Sequence, residues 1–389
     1  MNIWIQRIID RLQGDKIIWM VALILCIWSL ISVYGSISFI ANKYDTHFLK
    51  LLLKHATFLG AGLGVMYVVH LVNYKYLSKL ANSVYVIAVV ILILTLIIGP
   101  EMNNAKRWLS IPILNLTVQT SDFAKIALVL WLAKDLHMRR KYLHDFKQHV
   151  VPMLLRITII CGLILPEDLS TAALIGVVSM GMLFIGGVPW KGMIKIGVAV
   201  SHVIFYAVIT VMTFAPDSFS RFETWSNRIE QFIGYAEGSD VVSEGDYQIE
   251  LAQVAIQRGG FLPTGPGTGT SRDFLPHPYS DMIYAFIIEE WGAIIGGLGL
   301  LLLYMILMYR TIYAAKSCDK PFGSYLAMGL GMMITAQALI NMAVAVRLFP
   351  TTGQPLPLVS WGGTSIMITC MSIGMILAVS RAPTLLSKK

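Results

Sequence analysis

Apolar runs close to twenty residues long recur along almost the whole chain, and an α-helix of that length crosses a bilayer core of about 30 Å. Ten such spans fit, roughly at 17–38, 51–71, 81–99, 120–136, 151–165, 170–187, 193–214, 282–309, 322–346 and 358–380. Of the 389 residues only 13% are charged and 56% are hydrophobic, whereas soluble domains carry about 25% charged residues. A water-soluble fold is thereby excluded. The expected class is an all-α polytopic membrane protein. Cysteine usage adds no staple: Cys26, Cys161 and Cys370 fall in spans and Cys318 in a short basic loop, which suggests neither a disulfide framework nor a cysteine zinc site.

The net charge of +8 reads as topology rather than affinity for nucleic acid. With both termini placed in the cytoplasm, most of the 30 Lys and Arg residues fall in inside segments, as the positive-inside rule requires. Arg7, Arg11 and Lys16 precede the first run, but no small-residue cleavage site follows, so it is read as an uncleaved span. One outside loop, 215–280, far exceeds an ordinary connector and is expected to be functional. It holds Arg221, Arg228, Arg258 and Arg272 and a glycine-rich run from Gly259 to Gly269. Its residues 247–257 have helical apolar spacing and are expected to lie along the membrane surface. The chain is read as one integral membrane domain, 1–389, with this loop as its large extracytoplasmic element.

Carboxylates are costly inside a membrane span and mark polar cavities, cation pairs or chemistry. Asp281 stands at the mouth of the eighth span, with Glu289 and Glu290 deeper in it. A continuous helix over 281–309 would be about 43 Å long, which puts Asp281 at the outer interface. There it can stay ionised and accept a proton from a hydroxyl nucleophile. On that helix Glu289 lies about 80° around from Asp281 and Glu290 about 180°, so the two cannot share one cleft. One of them is expected to pair with a cation such as Lys125, three residues after Asp122 in the fourth span.

Other stretches are weaker alone. Lys106-Arg107-Trp108 places two cations and an indole at the outer interface, suited to a pyrophosphate, a headgroup or a sugar. The glycine-rich run follows no strand and opens no nucleotide-binding helix, so it is expected to be an irregular turn against a cleft, flanked by Arg258 and Arg272. From Arg347 to Ser365, prolines and glycines imply broken backbone, which is tolerated at membrane depth only against protein or water.

Taken in order, these stretches resemble the SEDS family of bacterial cell-wall proteins (FtsW, RodA and their sporulation relative). The resemblance rests on Lys106-Arg107-Trp108; Gln119 with Ser121-Asp122-Phe123-Ala124-Lys125; Asp168-Leu169-Ser170-Thr171; Gln248; Gly259-Gly260; Gly265-Pro266-Gly267; Leu275-Pro276 through Asp281; Glu289-Glu290-Trp291-Gly292; Gln337 and Asn341; and Pro350-Thr351 through Gly363. It implies a peptidoglycan glycosyltransferase that joins lipid II units at the outer face of the bacterial cytoplasmic membrane, with polyprenyl diphosphate as leaving group. The family's essential aspartate falls on Asp281. Substrate contacts are implied for Lys106, Arg107, Trp108, Lys125, Gln248, Arg258, Arg272, Glu289 and Ser360. No organic cofactor is implied, and a divalent cation such as Mg or Mn could assist. Implied partners are lipid II, a class B penicillin-binding protein and other division proteins.

The Pro350-Thr351-Thr352-Gly353 stretch leans towards the division branch, FtsW, and hence a septal location, with elongation-type RodA as the alternative. His277, Pro166-Glu167, Thr352 and Arg347 depart from the family pattern and bear on substrate contacts more than on the reaction. A lipid II flippase or a non-catalytic division scaffold is the rival from a different class. An acid at the outer face suits extracellular chemistry better than alternating access, whose sites lie near the midplane.

Overall fold

A computed structural model describes residues 12–43, 48–101, 106–111, 116–195, 197, 228, 232–233, 244–274 and 281–381. Helices dominate: α1 (Lys16–Lys43), α2 (Phe48–Leu71), α3 (Tyr74–Ile98), α4 (Thr120–Arg139), α5 (Val151–Ile164) and α6 (Leu169–Gly186). Then come α7 (Glu244–Gly259), α8 (Ile283–Trp291), α9 (Gly299–Lys316), α10 (Pro321–Ala345) and α11 (Thr364–Ser380). Seven helical stretches among the described residues are long and apolar enough to cross a membrane, with α8 and α9 counted as one, Ile283–Lys316. The expected seventh span, 193–214, lies outside the described residues beyond 197.

The fourth expected span is helical but polar for its depth, since α4 carries Asp122, Lys125, Lys134 and Asp135. It tolerates them because it is buried on every face, from Thr120 to Ala133, with Trp131 at its centre. Helices α3, α5, α6 and α10 pack around it. Lys125 Nζ donates to Asp122 Oδ1 at 2.8 Å and to Gln337 Oε1 at 3.1 Å, so the buried ammonium is neutralised within one turn.

Three features depart from the expected all-helical reading. A two-stranded antiparallel hairpin, β1 (Trp108–Ile111) with β2 (Leu116–Gln119), leads directly into α4, Trp108 pairing with Gln119. Asp281 precedes α8 in a turn, so the helical angle between it and Glu289 does not apply. The eighth span is also broken. At Gly292, with φ +71°, α8 ends and a wide turn, Gly292–Leu298, leads to α9.

The glycine-rich run fills that break. Thr264 and Gly265 donate their backbone N–H to Glu290 O at 3.0 and 2.9 Å, while Ala293 N donates to Gly260 O at 2.9 Å. Backbone groups freed by the broken helix are thus satisfied by protein, as membrane depth requires. Two glycines permit the approach. A Cβ on Gly259 would lie 2.1 Å from Ile288 O, and one on Gly292 would lie 2.6 Å from Phe261 O. Helix α7 buries Ile249, Ala252 and Ala255 and packs against α8, so its apolar stripe is spent on protein.

The irregular stretch between α10 and α11 is held carbonyl by carbonyl. Asn341 Nδ2 donates to Gln354 O at 2.8 Å, Gln337 Nε2 to Pro355 O at 2.9 Å, Tyr304 to Pro357 O, and Ser29 to Val359 O at 2.9 Å. Ser360 Oγ closes the turn by accepting from Leu356 N at 2.8 Å. Leu358 holds φ +65° there, a conformation that persists only where surroundings over-determine it.

Candidate functional site

The starts of α4, α6 and α8 and the end of α10 meet at one end of the bundle, the end that the charge count assigns to the outside. Four successive residues of the irregular stretch each bind a different part of this end. Thr351 O accepts from Arg228 Nη1 at 3.2 Å, and Thr352 O accepts from Ser170 Oγ at 2.8 Å. Gly353, with φ +67°, presents its α-carbon to Asp281, whose Oδ2 would lie 3.5 Å from a Cβ there. Gln354 O accepts from Asn341 Nδ2, which also donates to Asp281 O at 2.7 Å. The half-buried Asp281 is therefore fixed by its backbone, with its carboxylate over a residue that has no side chain.

Asp168 caps α6. Its Oδ1 accepts from Thr171 N at 3.0 Å and Ser170 Oγ at 2.7 Å, and its Oδ2 lies 3.1 Å from Arg107 Nη1. Arg107 Nε donates to Glu167 O at 2.8 Å, and Lys106 N donates to Glu167 Oε2 at 2.8 Å. The hairpin that sequence reasoning missed thus delivers Lys106 and Arg107 onto the α5–α6 connection. Arg228 completes the group. Burial and the adjacent Arg107 push its pKa below the usual arginine value, while Asp281 and Asp168 pull the other way. Arg228 therefore lies within electrostatic reach of Arg107, Asp168 and Asp281, while Arg107 itself pairs with Asp168.

The remaining candidates are dispersed. Trp108 is half-buried on β1. Lys125 lies below the group and reaches it through Gln337 and Pro355 rather than by contact with Glu289. Glu289 takes Thr270 N and Ser271 N, each at 3.2 Å, and Ser271 Oγ at 2.9 Å, all on Oε1. Of the expectation that one of the two glutamates pairs with a cation such as Lys125, the Lys125 part is corrected: its ammonium is spent on Asp122 and Gln337, and for Glu289 a short helical turn beginning at Ser271 offers unpaired N–H groups nearer at hand. Arg258 Nη1 donates to Thr270 Oγ1 at 2.7 Å, bracing the same loop. Gln248 is exposed on α7, and Ser360 is buried in its turn. The side chain of Arg272, with residues 275–280, lies outside the described residues.

Arg228, Asn341 and Gln354 are the site-building residues that sequence reasoning did not single out as such. Arg228 was one of four loop arginines with nothing local to distinguish it. Among the described residues no three His, Cys, Asp or Glu side chains gather as a metal cage, and the positive charge beside Asp281 is supplied by arginine.

The cell cycle protein family model that covers FtsW, RodA and SpoVE matches residues 15–384. A Hydrogenovibrio crunogenus protein described as a probable peptidoglycan glycosyltransferase FtsW is 31% identical over 339 residues, covering 86% of this chain and 82% of that protein. Stage V sporulation protein E of Bacillus subtilis is 30% identical over 384 residues, covering 95% and 98%. Among solved structures, a chain from a peptidoglycan synthase complex superposes with TM-score 0.72 at 23% identity, over 95% of this chain and 98% of that one. The rod shape determining protein RodA of Thermus thermophilus superposes with TM-score 0.67 at 23% identity, over 95% and 97%. The fold is shared across these comparisons, and the family match spans nearly every described element. The chain belongs to the FtsW, RodA and SpoVE family of cell cycle proteins.

Proposed function

We propose that the chain is a peptidoglycan glycosyltransferase that polymerises lipid II at the outer membrane face, with Asp281 as general base. The observation that carries this reading is the half-buried Asp281, fixed through its backbone by Asn341 and within electrostatic reach of Arg228. An acid so placed can take the proton of the acceptor 4-hydroxyl as that oxygen attacks the donor anomeric carbon. The glycosidic bond forms with inversion as the bond between the anomeric carbon and the diphosphate oxygen breaks. The electron pair leaves on polyprenyl diphosphate, whose charge Arg107, Arg228 and Lys106 stabilise in this reading. Asn341 pins Asp281 through its own carbonyl, which fixes the chain at the position where the carboxylate takes up a proton.

The names of related proteins support the reaction, and several of them are described as probable peptidoglycan glycosyltransferase FtsW, which supports the septal role over elongation. A solved relative described as coordinating polymerisation and crosslinking supports a transpeptidase partner of the class B penicillin-binding type. The test is to reconstitute the protein with its cognate transpeptidase and follow labelled lipid II into glycan strands. Strands from the wild type support the reading. An intact, partner-bound protein that makes none would contradict it and favour translocation or scaffolding.

A further inference from the structure

The opposite end of the bundle carries a charge that the reaction does not use. Arg156 sits within α5, in a stretch apolar enough to span the membrane, and its side chain is exposed. Leu155 and Ile159, its neighbours on α5, are exposed as well, as is Val86 next to Tyr85 on α3, so this face meets lipid. Among the described residues its guanidinium has no carboxylate or carbonyl partner. Its contact is with an aromatic ring: the guanidinium carbon lies 4.8 Å from the centroid of Trp131, which is buried at the core of α4. Tyr85 of α3 packs 5.3 Å from the same indole and donates its hydroxyl to Arg156 O at 2.9 Å. The arginine is thus held by its backbone carbonyl and by the ring beneath its guanidinium.

A membrane-embedded cation with no protein acceptor implies an acceptor supplied from outside the chain. Its depth says which. Counting helical rise, Tyr85, which bonds the Arg156 carbonyl, lies about 9 Å from Lys79 on α3, and Arg156 lies about 13 Å from Lys147 before α5, inside the basic boundary. Both distances are short of the midplane, which lies at about 15 Å. Its Cβ leans towards the N-terminal end of α5, back to that boundary, so the side chain can snorkel to it. Exposed Lys75, Lys79, Arg140, Lys141 and Lys147 ring the same end. Of the acids nearby, Asp135 pairs with Arg139 at 3.0 Å and Asp145 caps Gln148 N at 3.3 Å, so neither offsets Arg156.

We propose that the seam between α3 and α5, floored by Trp131, binds the phosphate of an anionic phospholipid of the inner leaflet, with Arg156 as the phosphate ligand. A guanidinium stacked on indole keeps its planar donor edge oriented for two phosphate oxygens, and the basic ring gathers the anionic headgroup. This site is separate from the Asp281 group and stands whether or not the chain polymerises glycan.

Native mass spectrometry of the full-length protein tests it, with cardiolipin, phosphatidylglycerol and phosphatidylcholine added in turn. Wild type should retain the anionic lipids over phosphatidylcholine. Arg156→Gln should lower that preference about fivefold, the contribution of one basic residue near an anionic surface. Lys191→Gln, which removes an exposed cation elsewhere at the same end, should leave it unchanged, and lipid-free thermal unfolding controls for fold. Equal retention by wild type and Arg156→Gln would overturn the site and leave Arg156 to a partner helix bearing an acid. Displacement of cardiolipin from wild type by equimolar polyprenyl diphosphate would also overturn it, by assigning the seam to the substrate's carrier.

Discussion

Asp281 and Glu289 lie at two depths of the same broken span, and their carboxylates meet different surroundings. Glu289 is buried, and one of its oxygens is saturated by two backbone N–H groups and a hydroxyl of the Thr270–Ser271 turn. Asp281 is half-buried and held through its backbone carbonyl, beside Gly353 and within electrostatic reach of Arg228. The first arrangement spends a carboxylate on holding a loop, whereas in the second the Asn341 contact holds the backbone. An acid in an apolar span is therefore informative only once its hydrogen-bond partners are known.

Substitutions should separate the two roles. Asp281→Asn removes the proton acceptor but keeps shape and the Asn341 contact. Polymerisation should fall about a thousandfold, within the range for loss of a general base, with thermal stability unchanged. Next in size is the buried pair beneath them. Lys125→Met strands the Asp122 carboxylate and should cost about 3–5 kcal/mol in an unfolding titration. The double variant Lys125→Met with Asp122→Leu should recover most of that loss. Recovered stability with absent polymerisation would show that Lys125 acts beyond the ion pair.

Smaller effects fall on the loop that Glu289 holds. Gly292→Ala forces a side chain onto the Phe261 carbonyl at a positive φ and should destabilise by about 1–3 kcal/mol. Glu289→Gln weakens three hydrogen bonds to a charged acceptor and should destabilise by about 1–3 kcal/mol, with polymerisation reduced less than tenfold. A larger activity loss in Glu289→Gln than in Asp281→Asn, at equal folding, would reverse the assignment of roles.

How far the sequence carried this varies by region for physical reasons. The spans were legible because bilayer thickness fixes their length, and Asp281 because an acid at the mouth of an apolar run has few innocuous explanations. The break at Gly292 was not. Gly-Ala-Ile-Ile-Gly-Gly-Leu reads as apolar helix, and only the docked glycine-rich run, thirty residues earlier, explains why the helix stops. The hairpin was hidden because its strands are four residues each, too short for a periodic signal. Arg228 became visible only when folding placed Thr351, Arg107 and Asp281 around it.

The most direct test compares initial rates of lipid II polymerisation by wild type, Asp281→Asn and Glu289→Gln in the same membranes with the same transpeptidase. The account predicts loss in Asp281→Asn alone, with Glu289→Gln within tenfold of wild type. Wild-type rates from a correctly folded Asp281→Asn would contradict it.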